Sequence, residues 1–214
     1  YERVDLGRAG KVYINDYTCS PVIVRDELSL YGEIAPVSIQ TIFNPMDNID
    51  DIGFGKHTRI NYYSTLTYDE KSRVYLWKNC EGENLYFKNY KVTGANNITY
   101  TRSGSVSKDS NGNYNFNKIT ITDSNGKKFK FDTYNNVGYL VEITDGSQNN
   151  NSITIDYSIE NDSHFLTKVT DGYGRKYCFS YSNVCKACII FLSKFICSNV
   201  IFLSPIELYH VNII

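Results

Sequence analysis

The sequence predicts an all-β fold, an antiparallel meander of hairpins that ends in an atypical apolar tail. Three observations carry that expectation. Tyr and Phe, 19 and 11 of 214 residues, favour pleated, half-buried surfaces, and only four Pro interrupt the chain. Asn, present 23 times, tolerates the left-handed backbone of tight turns. Before residue 182, no window holds three turns of the i, i+3, i+4, i+7 apolar spacing that marks an amphipathic helix.

Taken in order, Lys11-Val12-Tyr13-Ile14 reads as a strand running into a turn at Asn15-Asp16-Tyr17, and Pro21-Val22-Ile23-Val24-Arg25-Asp26 as its return. The run 36–43 alternates with period two. Val37, Ile39 and Thr41 fall on one side, and Ser38, Gln40 and Ile42 on the other. Runs 59–66 and 72–77 follow the same habit. A turn then recurs. Asp109-Ser110-Asn111-Gly112, Asp123-Ser124-Asn125-Gly126 and Asp171-Gly172-Tyr173-Gly174 read Asp-x-x-Gly, while Asn135-Asn136-Val137-Gly138 and Asn79-Cys80-Glu81-Gly82 start with Asn. The first residue accepts a local backbone hydrogen bond and the glycine takes the left-handed position. Strand-like runs follow two of these turns, at 127–131 and at Arg175 to Tyr181. Glycines 112, 126, 138 and 174 are spaced by 14, 12 and 36 residues, with degenerate turns expected at 147–151 and 160–163. This gives a unit of about twelve residues. A single ribbon of such units cannot bury its apolar face and must stack, curl or continue.

The last 32 residues break the texture, with Lys186, Lys194 and Glu207 as their only acidic or basic residues and no Gly. A truncated or frame-shifted reading frame is the expectation for this tail. A buried strand pair and a membrane span stand as alternatives, and the span is disfavoured because Lys194 and Asn199 interrupt it. The expected organisation is 1–105 as an N-terminal β-rich segment, 106–182 as hairpin units, and 183–214 as the tail. Tyr1 opens the chain without Met or a signal-peptide pattern, which reads as a fragment of a longer polypeptide.

These residues resemble the YD-repeat, or RHS-repeat, proteins, whose unit is a Tyr-Asp pair, a Gly-Arg pair two residues later, and an apolar strand. Tyr134-Asn135-Asn136-Val137-Gly138-Tyr139-Leu140 fits with Asn for Asp and Tyr for Arg. Asp171-Gly172-Tyr173-Gly174-Arg175 keeps Asp, Gly and Arg, and Asp123 to Lys127 keeps Asp and Gly. Upstream, Gly53-Phe54-Gly55-Lys56 and Arg59-Ile60-Asn61-Tyr62 resemble the segment before the repeats in large bacterial surface proteins, although His57-Thr58 stands where that group has Gly-Trp. The resemblance spans about residues 9 to 181. It implies a spiralling β-sheet, part of a secreted or cell-surface shell that encloses or displays a C-terminal toxin domain. Its implied partners are the rest of that shell and the toxin.

Residue chemistry points away from catalysis. A net charge of −1, from 22 basic and 23 acidic residues, gives no basic face for nucleic acid. His57, His164 and His210 meet no nucleophile motif, so no catalytic residue is expected. Asp47, Asp50 and Asp51 lack the Gly and terminal Glu of a calcium loop. Cys185 and Cys188 form a CxxC without the second pair a zinc site needs, and neither metal nor cofactor is expected. Sequons at Asn97, Asn150 and Asn161 are what so Asn-rich a chain produces by chance. The alternative function is a module whose sheet tyrosines stack on cell-wall or host glycans.

Overall fold

The computed structural model describes residues 2–7, 10–14, 16, 19–29, 32–47, 52, 54–95, 97–149, 151–160, 163–181, 187–192 and 199–203. No α-helix occurs among them, and every strand pair is antiparallel. The first five strands form a meander in chain order: β1 (Glu2–Asp5), β2 (Lys11–Ile14), β3 (Pro21–Ser29), β4 (Ser38–Phe43) and β5 (Thr58–Ile60). Alternation along β4 sends Ile39 into the main core and buries Ile42 on the opposite face, so both sides of this strand are covered.

Next come β6 (Thr65–Asp69), β7 (Val74–Lys78), β8 (Asn84–Phe87), β9 (Lys91–Thr93) and β10 (Thr99–Ser103). A small hairpin, β11 (Ser107–Lys108) and β12 (Tyr114–Asn115), precedes β13 (Thr120–Asp123), β14 (Lys128–Tyr134) and β15 (Val137–Thr144). These strands curl into a ring. β6 pairs with both β7 and β15, β7 with β8, and the other side runs β9–β10–β13–β14–β15. Among the described residues, the β8/β9 seam alone lacks a ladder. Arg102 spans it: its N–H donates to the Tyr90 carbonyl at 2.7 Å, and its guanidinium lies over the rings of Tyr75 and Tyr90 at 3.9 and 4.9 Å.

Period-two burial fills the ring. β7 points Tyr75 and Trp77 inward, β8 Leu85 and Phe87, and β14 Phe129 and Phe131. Trp77 touches Phe87, Tyr100 and Phe129 with centroids 6.5, 5.0 and 5.1 Å apart, and its indole N–H donates to Ser64 Oγ at 2.9 Å. Phe116, fully buried, packs beside Gly138 of β15, where a Cβ would stand 3.0 Å from it.

From β15 the sheet continues through β16 (Ser152–Glu160), β17 (Ser163–Thr170), β18 (Lys176–Ser180), β19 (Ala187–Leu192) and β20 (Asn199–Leu203). Hairpins β14–β15 and β16–β17 are equivalent. Every pair in the first, from Lys128↔Thr144 to Tyr134↔Val137, recurs 26 residues later, from Thr154↔Thr170 to Glu160↔Ser163. Both skip one residue at the same place, Val141 and Thr167. The unit is therefore a 26-residue hairpin with two kinds of turn, not a twelve-residue strand with one. The apolar tail adds two strands to the sheet, and β18↔β19 pairs without that skip.

The N-terminal meander closes over the continuing sheet. Phe54 meets Phe179 and Tyr181 edge-on at 6.0 Å each, and Val37, Ile39 and Ile60 share one core with Val169 and Tyr177.

Candidate functional site

Four of the turns singled out by sequence share one geometry. In Asn79–Gly82, Asp109–Gly112, Asp123–Gly126 and Asp171–Gly174, the glycine N–H donates to the first residue's carbonyl at 3.0, 3.1, 3.1 and 2.9 Å. Each glycine sits at a left-handed φ, 83°, 84°, 86° and 77°. The first residue's side-chain Oδ1 also accepts the N–H of the fifth residue, Glu83, Asn113, Lys127 or Arg175, at 2.8 to 2.9 Å. This is a type I turn followed by a left-handed residue, which suits a hairpin because it matches strand twist. At exposed Asp109 the Asn113 N–H holds the carboxyl below the usual carboxylate range. Asn79 and Asp171 are the buried members, and Asp171 Oδ2 takes the Arg175 Nε–H at 2.5 Å. The Asp171 turn is also a docking point. Glu33 N–H donates to the Tyr173 hydroxyl at 3.0 Å, and Gly172 packs against Ile34.

Asn135 and Gly138 fold otherwise. Asn135 and Asn136 take φ of 44° and 62° between paired Tyr134 and Val137, a two-residue type I′ turn, and Gly138 lies inside β15. The physical reason is the tighter loop: two left-handed asparagines close it, leaving nothing for a fourth-position glycine to do.

Asp47 belongs to a buried ion cluster. Its carboxylate is 2.6 Å from Lys78 Nζ and 3.7 Å from Arg59 Nε, while Arg59 also donates to the carbonyls of Asn79 and Cys80. Burial pulls the Arg59 guanidinium down from its usual value, opposed by Asp47. Burial pushes the neighbouring Cys80 thiol up to about 12, so it carries no thiolate near neutrality. His57 Nδ1 sits 2.9 Å from the Asp47 carbonyl. No cluster of three His, Cys, Asp or Glu that could hold a metal occurs among the described residues. Asp50, Asp51, Gly53, Asn150, Asn161, Cys185, Cys197 and His210 lie outside them.

One concave feature gathers residues that no local motif announces. β15 gives Gly138 and Tyr139 to β6 but Glu142–Thr144 to β16, so the two equivalent hairpins splay apart. The resulting cleft, about 320 Å³, is lined among others by Asp132, Tyr134, Tyr139, Asp156, Tyr157 and His164. The His164 imidazole stacks on Tyr139 at 4.0 Å and 14°, and lies 4.2 Å from Tyr134 and 5.6 Å from Tyr157. Its Nδ1 is buried with no hydrogen-bond partner among the described residues. Burial lowers the His164 pKa, opposed by Asp132, and burial raises the phenols of Tyr139 and Tyr157. The His164, Tyr139 and Tyr157 rings are therefore uncharged at neutral pH.

No protein-family model matches this chain, and no curated protein matches it either.

Proposed function

We propose that the chain is a structural segment of a bacterial secreted or cell-surface protein of the RHS/YD-repeat kind. It would form the closed end of a β-walled shell that encloses or displays a C-terminal toxin domain. The observation behind this reading is the pair of hairpins in identical register, laid side by side in one sheet that curls around a filled interior. A filled ring leaves no lumen for a guest domain, which favours a position at the end of such a shell over one in its hollow middle. Its charged groups support the same role: the Asp47–Arg59–Lys78 cluster and the Asp171–Arg175 pair join segments distant in sequence or brace a turn. The test is antibody raised to residues 99–181 and applied to fractionated producing cells. The reading requires the antigen in wall or medium fractions, in a product larger than 24.5 kDa. A 24.5 kDa product confined to the cytosol contradicts it.

A second reading, glycan binding, rests on Tyr86 and Tyr90, which are 56% and 62% exposed. Saturable retention on a glycan array that is lost in Tyr86→Ala would favour it; no retention would remove it.

A further inference from the structure

The cleft between the equivalent hairpins has a charge and ring arrangement that selects its guest. Its volume of about 320 Å³ lies at the small end of the range for small-molecule sites, about 300–1,000 Å³. It therefore suits a headgroup, not a chain. No lysine or arginine lines it among the described residues, and its formal charges are the carboxylates of Asp132 and Asp156. Lys168 answers Asp156 at 2.9 Å, whereas Asp132 makes no ion pair among the described residues. An anion would meet Asp132 unanswered, with Asp156 offset only by Lys168. A neutral guest could only donate hydrogen bonds to Asp132 and would leave its charge without a counter-ion. A cation gains from both the carboxylate and the negative faces of the rings, an attraction effective within about 6 Å of a ring centroid.

From this we infer that the cleft binds a small organic ammonium ion, held against the rings of Tyr134, Tyr139, Tyr157 and His164 with Asp132 as its counter-ion. The Tyr157 ring is fixed for the task because its hydroxyl donates to the Leu140 carbonyl at 2.9 Å. Tyr63 backs Tyr139 and Tyr157 at 6.1 and 6.4 Å, so the two rings are held from behind.

The experiment titrates the protein at pH 7.5 with choline chloride and with 3,3-dimethylbutan-1-ol, which has the same shape without the charge. Calorimetry and the ring proton resonances of His164 and Tyr139 are the readouts. Choline should saturate and shift those resonances, with the alcohol at least about tenfold weaker. Asp132→Asn, at an exposed position, should leave the melting temperature unchanged and weaken choline about tenfold. Equal binding of the two probes, no choline shift at millimolar concentration, or full choline affinity in Asp132→Asn would each overturn the inference. A neutral sugar that shifts the same resonances where choline does not would also overturn it, in favour of a saccharide.

Discussion

A carboxylate at the head of a turn matters in proportion to its burial. Asp171 accepts three hydrogen bonds, from Tyr173 N–H, Arg175 N–H and Arg175 Nε, with no solvent to replace them. Asp171→Ala should therefore lose about 2 kcal/mol in urea unfolding, because three part-buried donors lose their one buried, charged acceptor. The same change at Asp109, whose turn is in water, should lose far less. Gly174→Ala should lose about 1 kcal/mol, since φ of 77° crowds a Cβ against its own backbone. His164 gives a pH signature. Its folded-state pKa is below the ordinary value of about 6.5, so the unfolded chain binds the proton more readily. Its contribution to stability is complete above about pH 6.5 and is lost as the pH falls through the lowered value. The groups facing it are Asp132 and Tyr134 from β14, Tyr139 from β15, and Asp156 and Tyr157 from β16. Melting temperatures between pH 7.5 and 5 should fall more steeply for the native protein than for His164→Phe; parallel curves would contradict this.

At the scale of the element, the equivalent hairpins reuse one fastening. Tyr157 of β16 donates its hydroxyl to the Leu140 carbonyl at 2.9 Å, and Tyr181, just after β18, donates to Leu166 at 2.6 Å. Each receiving leucine is fully buried and precedes the skipped residue of its hairpin. Tyr157→Phe and Tyr181→Phe should each lose about 1 kcal/mol, and Leu166→Ala about 3 kcal/mol, in denaturant unfolding. A cross-strand ion pair also recurs with its signs exchanged, Lys130 with Glu142 and Asp156 with Lys168, both at 2.9 Å. The turns at Asp109, Asp123 and Asp171 were legible in the sequence because five consecutive residues contain the hydrogen bonds that close each of them. The turn at Asn135 was misread because the same letters also close a type I′ loop. The 26-residue equivalence was hidden. Few residues are identical across it, among them Leu140 and Leu166, Thr144 and Thr170, and Asp145 and Asp171. The Asp145 turn also lacks a glycine in fourth place. The cleft was illegible for a different reason: its rings come from four strands and meet only because β15 divides one edge between β6 and β16.

The whole molecule is an antiparallel sheet that curls into a nearly closed ring, runs on through equivalent hairpins, and is covered by its own N-terminal meander. Alternation alone foretold strands; ring closure depends on pairing β6 with β15, some 70 residues apart, which local pattern does not encode. The filled interior has a built-in reporter, since Trp77 is the single tryptophan and is 1% exposed. Its fluorescence should be blue-shifted and insensitive to acrylamide until the protein unfolds; ready quenching would mean a wetter interior than packing allows. The shared register of the two hairpins makes them equivalent units of one sheet. Interstrand amide and α-proton NOEs measure it directly. The expected map links Phe129 with Ile143 and Ile155 with Val169, then slips by one residue at Val141 and at Thr167. A slip in one hairpin but not the other, or pairings offset by anything but 26 residues, would contradict it.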